Sequence, residues 1–243
     1  MGGAILNVIT VAAGSLLGLA LGNRFPQRIQ QSIVAGLGLI TLLVGISNAQ
    51  RSGNLIIPLL SLIAGIVIGE ALNLERWLER FADWLRRVSS RGREEGEEAR
   101  VRFINGFITA SLVFCVGPLT FVGSIQDGMG LAAGFQQIAI KSMLDFFAAM
   151  AFAAALGPGV FFTVITVFVL QGGLSLLGML LGDVMTPAMI AEMTAVGGVL
   201  LLGLGLNILE IKRLRVVNYL PALLIAPLLV ALAQALGINI YPF

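Results

Sequence analysis

SLVFCVGPLTFVGSIQDGMG, residues 111–130, is followed after a short apolar loop by QQIAIKSMLDFF, residues 136–147. In this very apolar chain it is the one region where helix breakers and ionisable residues coincide inside membrane-length runs. Gly117-Pro118 interrupts a helix, because proline lacks a backbone donor and its ring clashes with the preceding turn. Gly123, Ser124, Gln126, Asp127 and Gly128 make the next segment polar, and the sequence leaves open whether it is unwound or helical. Lys141 and Asp145 stand four apart, so a helix places them on one face within reach of each other. Irregular backbone survives inside a bilayer only where protein buries it or a wet cavity reaches it. A charge at that depth points to a functional site. The expected solute- or ion-binding centre therefore comprises Gly117, Pro118, Ser124, Gln126, Asp127, Gly128, Lys141 and Asp145.

Composition assigns the class. Of 243 residues, 58% are hydrophobic and 12% charged, against roughly 25% charged in soluble domains. Apolar runs of about 20 residues recur, each long enough to cross a hydrocarbon core about 30 Å thick. The 30 glycines suit close helix packing in lipid. With no histidine and one cysteine, the chain has no disulfide framework, no histidine metal site and no Ser-His-Asp or Cys-His catalysis. Cys115 lies in an apolar run and is expected to pack as a small apolar residue. A net charge of +2 is too small to suggest nucleic acid. The first apolar run lacks a basic leader and a cleavage site, so it is expected to be retained as a helix.

The sequence predicts an all-α polytopic membrane protein with about eight spans: 4–22, 31–47, 54–72, 102–125, 134–156, 160–182, 188–208 and 216–237. Leaving out Lys141, which lies within a span, the basic residues divide thirteen to one between the two sets of alternate loops and their span ends, with Arg51 alone on the poorer side. By the positive-inside rule the arginine-rich side is cytoplasmic, and both termini face outward. In the longest loop, 73–101, Leu74, Trp77, Leu78, Phe81, Trp84, Leu85 and Val88 recur at helical spacing. They predict an amphipathic helix with tryptophans at the membrane interface. SSRGREEGEEAR beyond it is expected to be a solvated connector.

An internal repeat shapes the expected architecture. SLLGLALGNRFP, 15–26, matches SLLGMLLGDVMTP, 175–187, with Asn23 answered by Asp183 and Pro26 by Pro187. Upstream, VITV occurs at 8–11 and again at 164–167; downstream, IVAGLGLITLLVGI resembles TAVGGVLLLGLGL. Span one then corresponds to span six. Five spans separate equivalent points, so the copies cross in opposite directions. Such inverted repeats mark secondary transporters, with sites near the midplane and broken helices. The predicted organisation is one transmembrane domain: a first repeat at 1–72, the cytoplasmic segment 73–101, central helices at 102–156 and a second repeat at 159–237. Gln31 and Glu192 occupy matching positions and are secondary site candidates. Asn7, Thr10, Thr166, Gln171 and Asn207 are expected to find interhelical hydrogen bonds.

FCVGPLTFVGSIQDG at 114–128, KSMLD at 141–145 and the amino-terminal GAILNVITVAAGSLLG together resemble the YqgA-like and YdfK-like bacterial inner-membrane proteins, the domain of unknown function 554 family. The resemblance covers most of the chain and implies an inner-membrane transporter with no agreed substrate. It gives weight to Gly117, Pro118, Gln126, Asp127, Gly128, Lys141 and Asp145, and adds Ser142 to the candidates. The charged loop 88–100 is a departure from that family.

The expected function is a secondary transporter or ion-coupled carrier of a small solute. Asp145 is the natural cation or proton site, and Lys141 its counter-ion or the anchor for a substrate carboxylate. The alternatives are an oligomeric ion channel and a membrane protein that only binds partners. An enzyme is not expected: aspartyl chemistry needs two carboxylates sharing a proton, and Lys141 would keep Asp145 ionised. No cofactor or metal is expected beyond a coupling proton or sodium ion. The expected partners are the bilayer, the solute and, from the small-residue helices, a second copy of the chain.

Overall fold

A computed structural model of the chain describes residues 2–22, 26–89, 96–115, 118–181 and 185–240. Among the described residues there is helix and no strand: α1 (Gly2–Gly22), α2 (Gln27–Ala49), α3 (Ile56–Leu72), α4 (Leu74–Ser89), α5 (Glu97–Cys115), α6 (Pro118–Gly128), α7 (Ala132–Leu156), α8 (Thr163–Leu181), α9 (Pro187–Ile208) and α10 (Pro221–Ala235). Two 3₁₀ turns, Pro158–Val160 and Val216–Tyr219, precede α8 and α10. Six helices are long and apolar enough to cross a membrane, or up to eight if each of two bent helix pairs is one span. The chain is an all-helical membrane protein, and its helices form two compact units.

The first unit holds α1, the start of α2, and α4 to α8. Its axis is α1, whose buried face carries Gly3, Asn7, Val11, Gly14, Ser15, Gly18 and Gly22. A Cβ added at Gly14, Gly18 or Gly22 would strike the carbonyl oxygen of Phe146, Met150 or Ala154 in turn. These contacts advance together, so α1 and α7 run in the same direction, backbone against backbone. Glycine at every fourth position makes this approach available, which is how helices associate in lipid without a hydrophobic driving force. α5 runs against α7: Arg102 near its start donates to the Ala155 carbonyl at 3.1 Å, and Phe114 near its end meets Phe152 edge-on. α8 runs with α5, Phe103 meeting Phe162 and the Ser111 hydroxyl lying 2.9 Å from that of Thr166. By these registers α8 points opposite to α1.

The predicted helix break is present. α5 ends at Cys115, α6 begins at Pro118, and the axes of 97–115 and 119–128 differ by 64°. Proline suits a first helical position, where no backbone donor is needed. The polar segment after the break is therefore helical through Gly128 rather than unwound. Gly117 lies outside the described residues, as do the repeat positions Asn23 and Asp183. α6 packs on α7 and α8, Gly123 lying against Ile138 of α7 and Gly178 of α8 against the Ile125 carbonyl, and it also touches the start of α1 through Asp127. α8 continues as one helix through Gly172-Gly173.

Polarity is inverted relative to a soluble protein. On α7 the large apolar residues Ile140, Met143, Leu144 and Phe147 are exposed, while Lys141, Ser142 and Asp145 are buried. A helix in lipid turns its apolar side chains out and its charges inward.

α4 differs from the single amphipathic face read from its sequence. Ala82, Leu85, Leu78 and Phe81 pack with Phe103 and Phe107 of α5, whereas Trp77 and Trp84 are 64% and 56% exposed. Asp83 is buried beside them and accepts from Arg87 at 3.0 Å and Arg100 at 2.9 Å. Burial works against its ionisation, but the hydrogen bonds and charges of Arg100 and Arg87 outweigh that and hold the carboxyl below the usual carboxylate range.

The second unit holds the rest of α2 with α3, α9 and α10. Gly45 of α2 and Gly198 of α9 face each other closely enough that a Cβ on either would meet the other's carbonyl at 3.0 Å or less. Gly65 and Gly69 of α3 bring Ala222 and Asn218 equally near. Asn207, at the end of α9, exchanges two 2.7 Å hydrogen bonds with the Leu214 backbone. Thr186 caps the start of α9 by accepting from the Met189 N–H.

Candidate functional site

The helical spacing of Lys141 and Asp145 delivers the expected ion pair: the ammonium bonds the Oδ2 atom of Asp145, and both residues are 7% exposed. Asp145 lies thirteen residues into α7, roughly 20 Å along a helix about 37 Å long. The pair thus sits near the middle of the helix. A third group reaches it from across the unit. Asn7 of α1 donates its Nδ2 to the same Oδ2 atom at 2.9 Å, and Thr10 bonds back to the Asn7 carbonyl at 2.9 Å. Asn7 was expected only to satisfy itself between helices; its sole sequence signal is an amide in an apolar run.

The end of α5 completes the surroundings. Cys115, the last residue of α5, is a partly buried free thiol. At the break, the Phe114 carbonyl near the end of α5 accepts from the Thr120 hydroxyl of α6 at 3.2 Å. Further neutral groups are buried in the same unit: the hydroxyls of Ser15, Ser124, Ser142 and Ser175 and both amide atoms of Gln171 have no hydrogen-bond partner among the described residues. Buried polar atoms are ordinarily satisfied, so this unit carries donors and acceptors its own helices do not use.

Other predicted residues make contacts within the unit. Asp127, expected at an outer entrance, accepts the Gly3 N–H at 3.1 Å and so places a carboxylate on the first turn of α1, where the helix dipole favours it. Gly3 and Asn7 are one turn apart, so Asp127 and Asp145 grip α1 about 6 Å apart along its axis. Gln126 accepts from Gln137 at 3.2 Å. Gly128 lies against the Ser175 carbonyl, leaving no room for a side chain. Pro118 starts α6 as described.

The secondary candidates Gln31 and Glu192 have unlike settings. Gln31 is exposed. Glu192, in the second unit, is fully buried and accepts from Ser52 at 2.7 Å, the Gly53 N–H at 2.9 Å and the Asn54 N–H at 3.2 Å. Asn54 in turn accepts the Ile56 N–H at the start of α3 and donates to the Ile240 carbonyl. No group of three or more metal-binding side chains occurs among the described residues.

Comparison with known proteins adds the family. Residues 2–231 match the family model described as "Protein of unknown function (DUF554)". "Uncharacterized protein YqgA" of Escherichia coli (strain K12) is 36% identical over 225 residues, 92% of this chain and 94% of that protein. "Uncharacterized membrane protein YdfK" of Bacillus subtilis (strain 168) is 28% identical over 243 residues, 98% of this chain and 100% of that protein. No solved structure matches the chain. A helical membrane protein matched over nearly its full length by this model and by YqgA, the chain belongs to the DUF554 family.

Proposed function

We propose that the protein is an ion-coupled carrier of a small solute, working through Lys141, Asp145 and Asn7 in the first unit. The observation that carries this reading is a charged pair buried midway along an apolar helix and cross-linked to a second helix. Burying charges is costly even when they are paired, and apolar residues of similar size do as well or better for stability. A pair retained there is best explained by use.

The arrangement suggests the chemistry. Asp145 already has its counter-ion, so a metal cation would have to displace the Lys141 ammonium. A proton adds to the carboxylate itself, ending the ion pair and leaving Lys141 to hold an anionic group such as a substrate carboxylate. Proton and anion would then enter together, and the site would stay neutral. The unpartnered hydroxyls and the Gln171 amide would receive neutral polar parts of the solute.

The repeat reading also gains support. Thr10 and Thr166, in the matching VITV segments, each bond back to a carbonyl three residues earlier. Ser15 and Ser175 are both fully buried, and Gly18 and Gly178 each lie against a neighbouring carbonyl. With α1 and α8 pointing in opposite directions, these are features an inverted repeat would have. The arginine distribution favours a cytoplasmic 73–101 segment in a bacterial inner membrane.

The test is thermal unfolding of the purified protein in detergent, screened against pH and small organic anions. Wild type would be compared with Asp145→Asn and with the charge-free double variant Lys141→Met/Asp145→Leu. A bound solute at 100 times its Kd should stabilise wild type by about 2.7 kcal/mol and neither variant. Equal stabilisation of all three would remove the pair from the site.

A further inference from the structure

Winding α4 at 3.6 residues per turn sorts its side chains into three sectors. Arg76, Trp77, Arg80, Trp84, Arg87 and Val88 fall within a sector about 120° wide, and every one of them is exposed. Leu78, Phe81, Ala82 and Leu85 occupy the next sector, about 100° wide, and pack onto α5. The acids Glu75, Glu79 and Asp83 share the third, where Asp83 is engaged by Arg86, Arg87 and Arg100. No carboxylate falls in the exposed sector, and Arg76 and Arg80 have no ion pair among the described residues.

We infer that this exposed Trp–Arg sector is a binding surface for anionic phospholipid headgroups. A water-facing helix puts charges and small polar residues outward; this one puts out both of the chain's tryptophans and three arginines. The tryptophans are also held in place. Trp77 and Trp84 each stack with Phe81, with ring centroids 5.9 and 5.8 Å away, and Phe81 leans on the buried Phe107. The sector is therefore a fixed aromatic ridge flanked by guanidinium groups.

Charge and chemistry together name the occupant. Arginine without a carboxylate partner calls for an anion, and its planar fork matches phosphate oxygens two at a time. Indole rings with one wet edge suit the boundary between headgroups and acyl chains. A phospholipid with net negative charge offers both in one molecule, and α4 starts one residue after the membrane-type helix α3 ends. The bilayer surface is thus within reach of the ridge. This inference does not depend on the carrier reading.

Because Trp77 and Trp84 are the chain's two tryptophans, tryptophan emission excited where tyrosine does not absorb reports on this ridge alone. The full chain would be reconstituted in phosphatidylcholine bilayers containing a fixed fraction of brominated phosphatidylglycerol, or the same fraction of brominated phosphatidylcholine. Bromines near the headgroup quench tryptophan on contact. The expected result is stronger quenching by the anionic lipid, reflecting local enrichment of about fivefold per arginine near an anionic surface. The excess should disappear in Arg76→Gln/Arg80→Gln and shrink in high salt. Equal quenching by the two lipids in wild type, an excess that survives the double substitution, or no quenching at all would each overturn the inference. The last would mean the ridge faces water or another protein. Neither arginine carries the fold, so the thermal unfolding midpoint of the double variant should match wild type.

Discussion

Asp145 in the first unit and Glu192 in the second are both carboxylates buried in apolar helices, and their partners differ in kind. Glu192 is held by a hydroxyl and two backbone amides of one short loop. Asp145 is held by two side chains, the ammonium of Lys141 and the amide of Asn7. A backbone amide can only donate, and it moves only if the loop moves, so Glu192 acts as a pin for the α2–α3 connection. Side chains can change rotamer, release a proton or accept a new partner. The same charge at comparable burial is thus suited to structure in one place and to exchange in the other.

The largest effect should come from breaking the exchangeable pair unevenly. Asp145→Ala leaves the Lys141 ammonium buried without a carboxylate and should cost about 3–5 kcal/mol of stability, measured by denaturant or thermal unfolding in detergent. Removing both charges, as Lys141→Met/Asp145→Leu, should recover most of that loss while solute binding stays absent. Failure of the double variant to recover would make the pair a structural pin like Glu192.

A smaller effect tests the helix contact that brings Asn7 to Asp145. Gly18→Ala forces a methyl against the Met150 carbonyl and should destabilise by about 1–3 kcal/mol, as overpacking does. It should also weaken ligand stabilisation, because α1 would carry Asn7 away from α7.

Glu192→Gln sharpens the contrast. It keeps an acceptor for the Gly53 and Asn54 amides and turns its new donor toward the Ser52 hydroxyl, which can rotate to accept it; losing the charge should cost about 1–2 kcal/mol with ligand binding by the first unit unchanged. Loss of binding in a well-folded Glu192→Gln protein would end the distinction drawn here.

Asp83, outside the spans, gives the smallest effect and a pH signature. Its carboxyl titrates below the usual range in the folded state, so it stabilises the fold above the unfolded value of about 4. That contribution is lost as pH falls through the folded pKa. Asp83→Asn should therefore lower stability by about 1 kcal/mol at neutral pH, and the gap from wild type should close on acidification.

How much of this was legible in the chain depends on the range of each signal. The breaker at Gly117-Pro118 and the spacing of Lys141 and Asp145 are local, and the α5–α6 bend and the ion pair follow from them. The residues Gln126 to Gly128 were legible as unusual, but their partners were not, because these lie on α1, α7 and α8. The α4 pattern announced a helix with apolar positions. It did not say which of those positions α5 would cover, since the period alone cannot separate two adjacent apolar sectors.

The class, the helices and their approximate ends can be read along the chain. These follow from apolar run length, proline position and side chains spaced within a turn or two. The tertiary structure alone decided that Asn7 meets Asp145 across 138 positions, that Glu192 closes on a loop 138 to 140 positions away, and that Asp127 caps α1. Those contacts depend on which glycine faces let two backbones touch. In a chain with 30 glycines that choice is made by the whole packing, not by any one stretch.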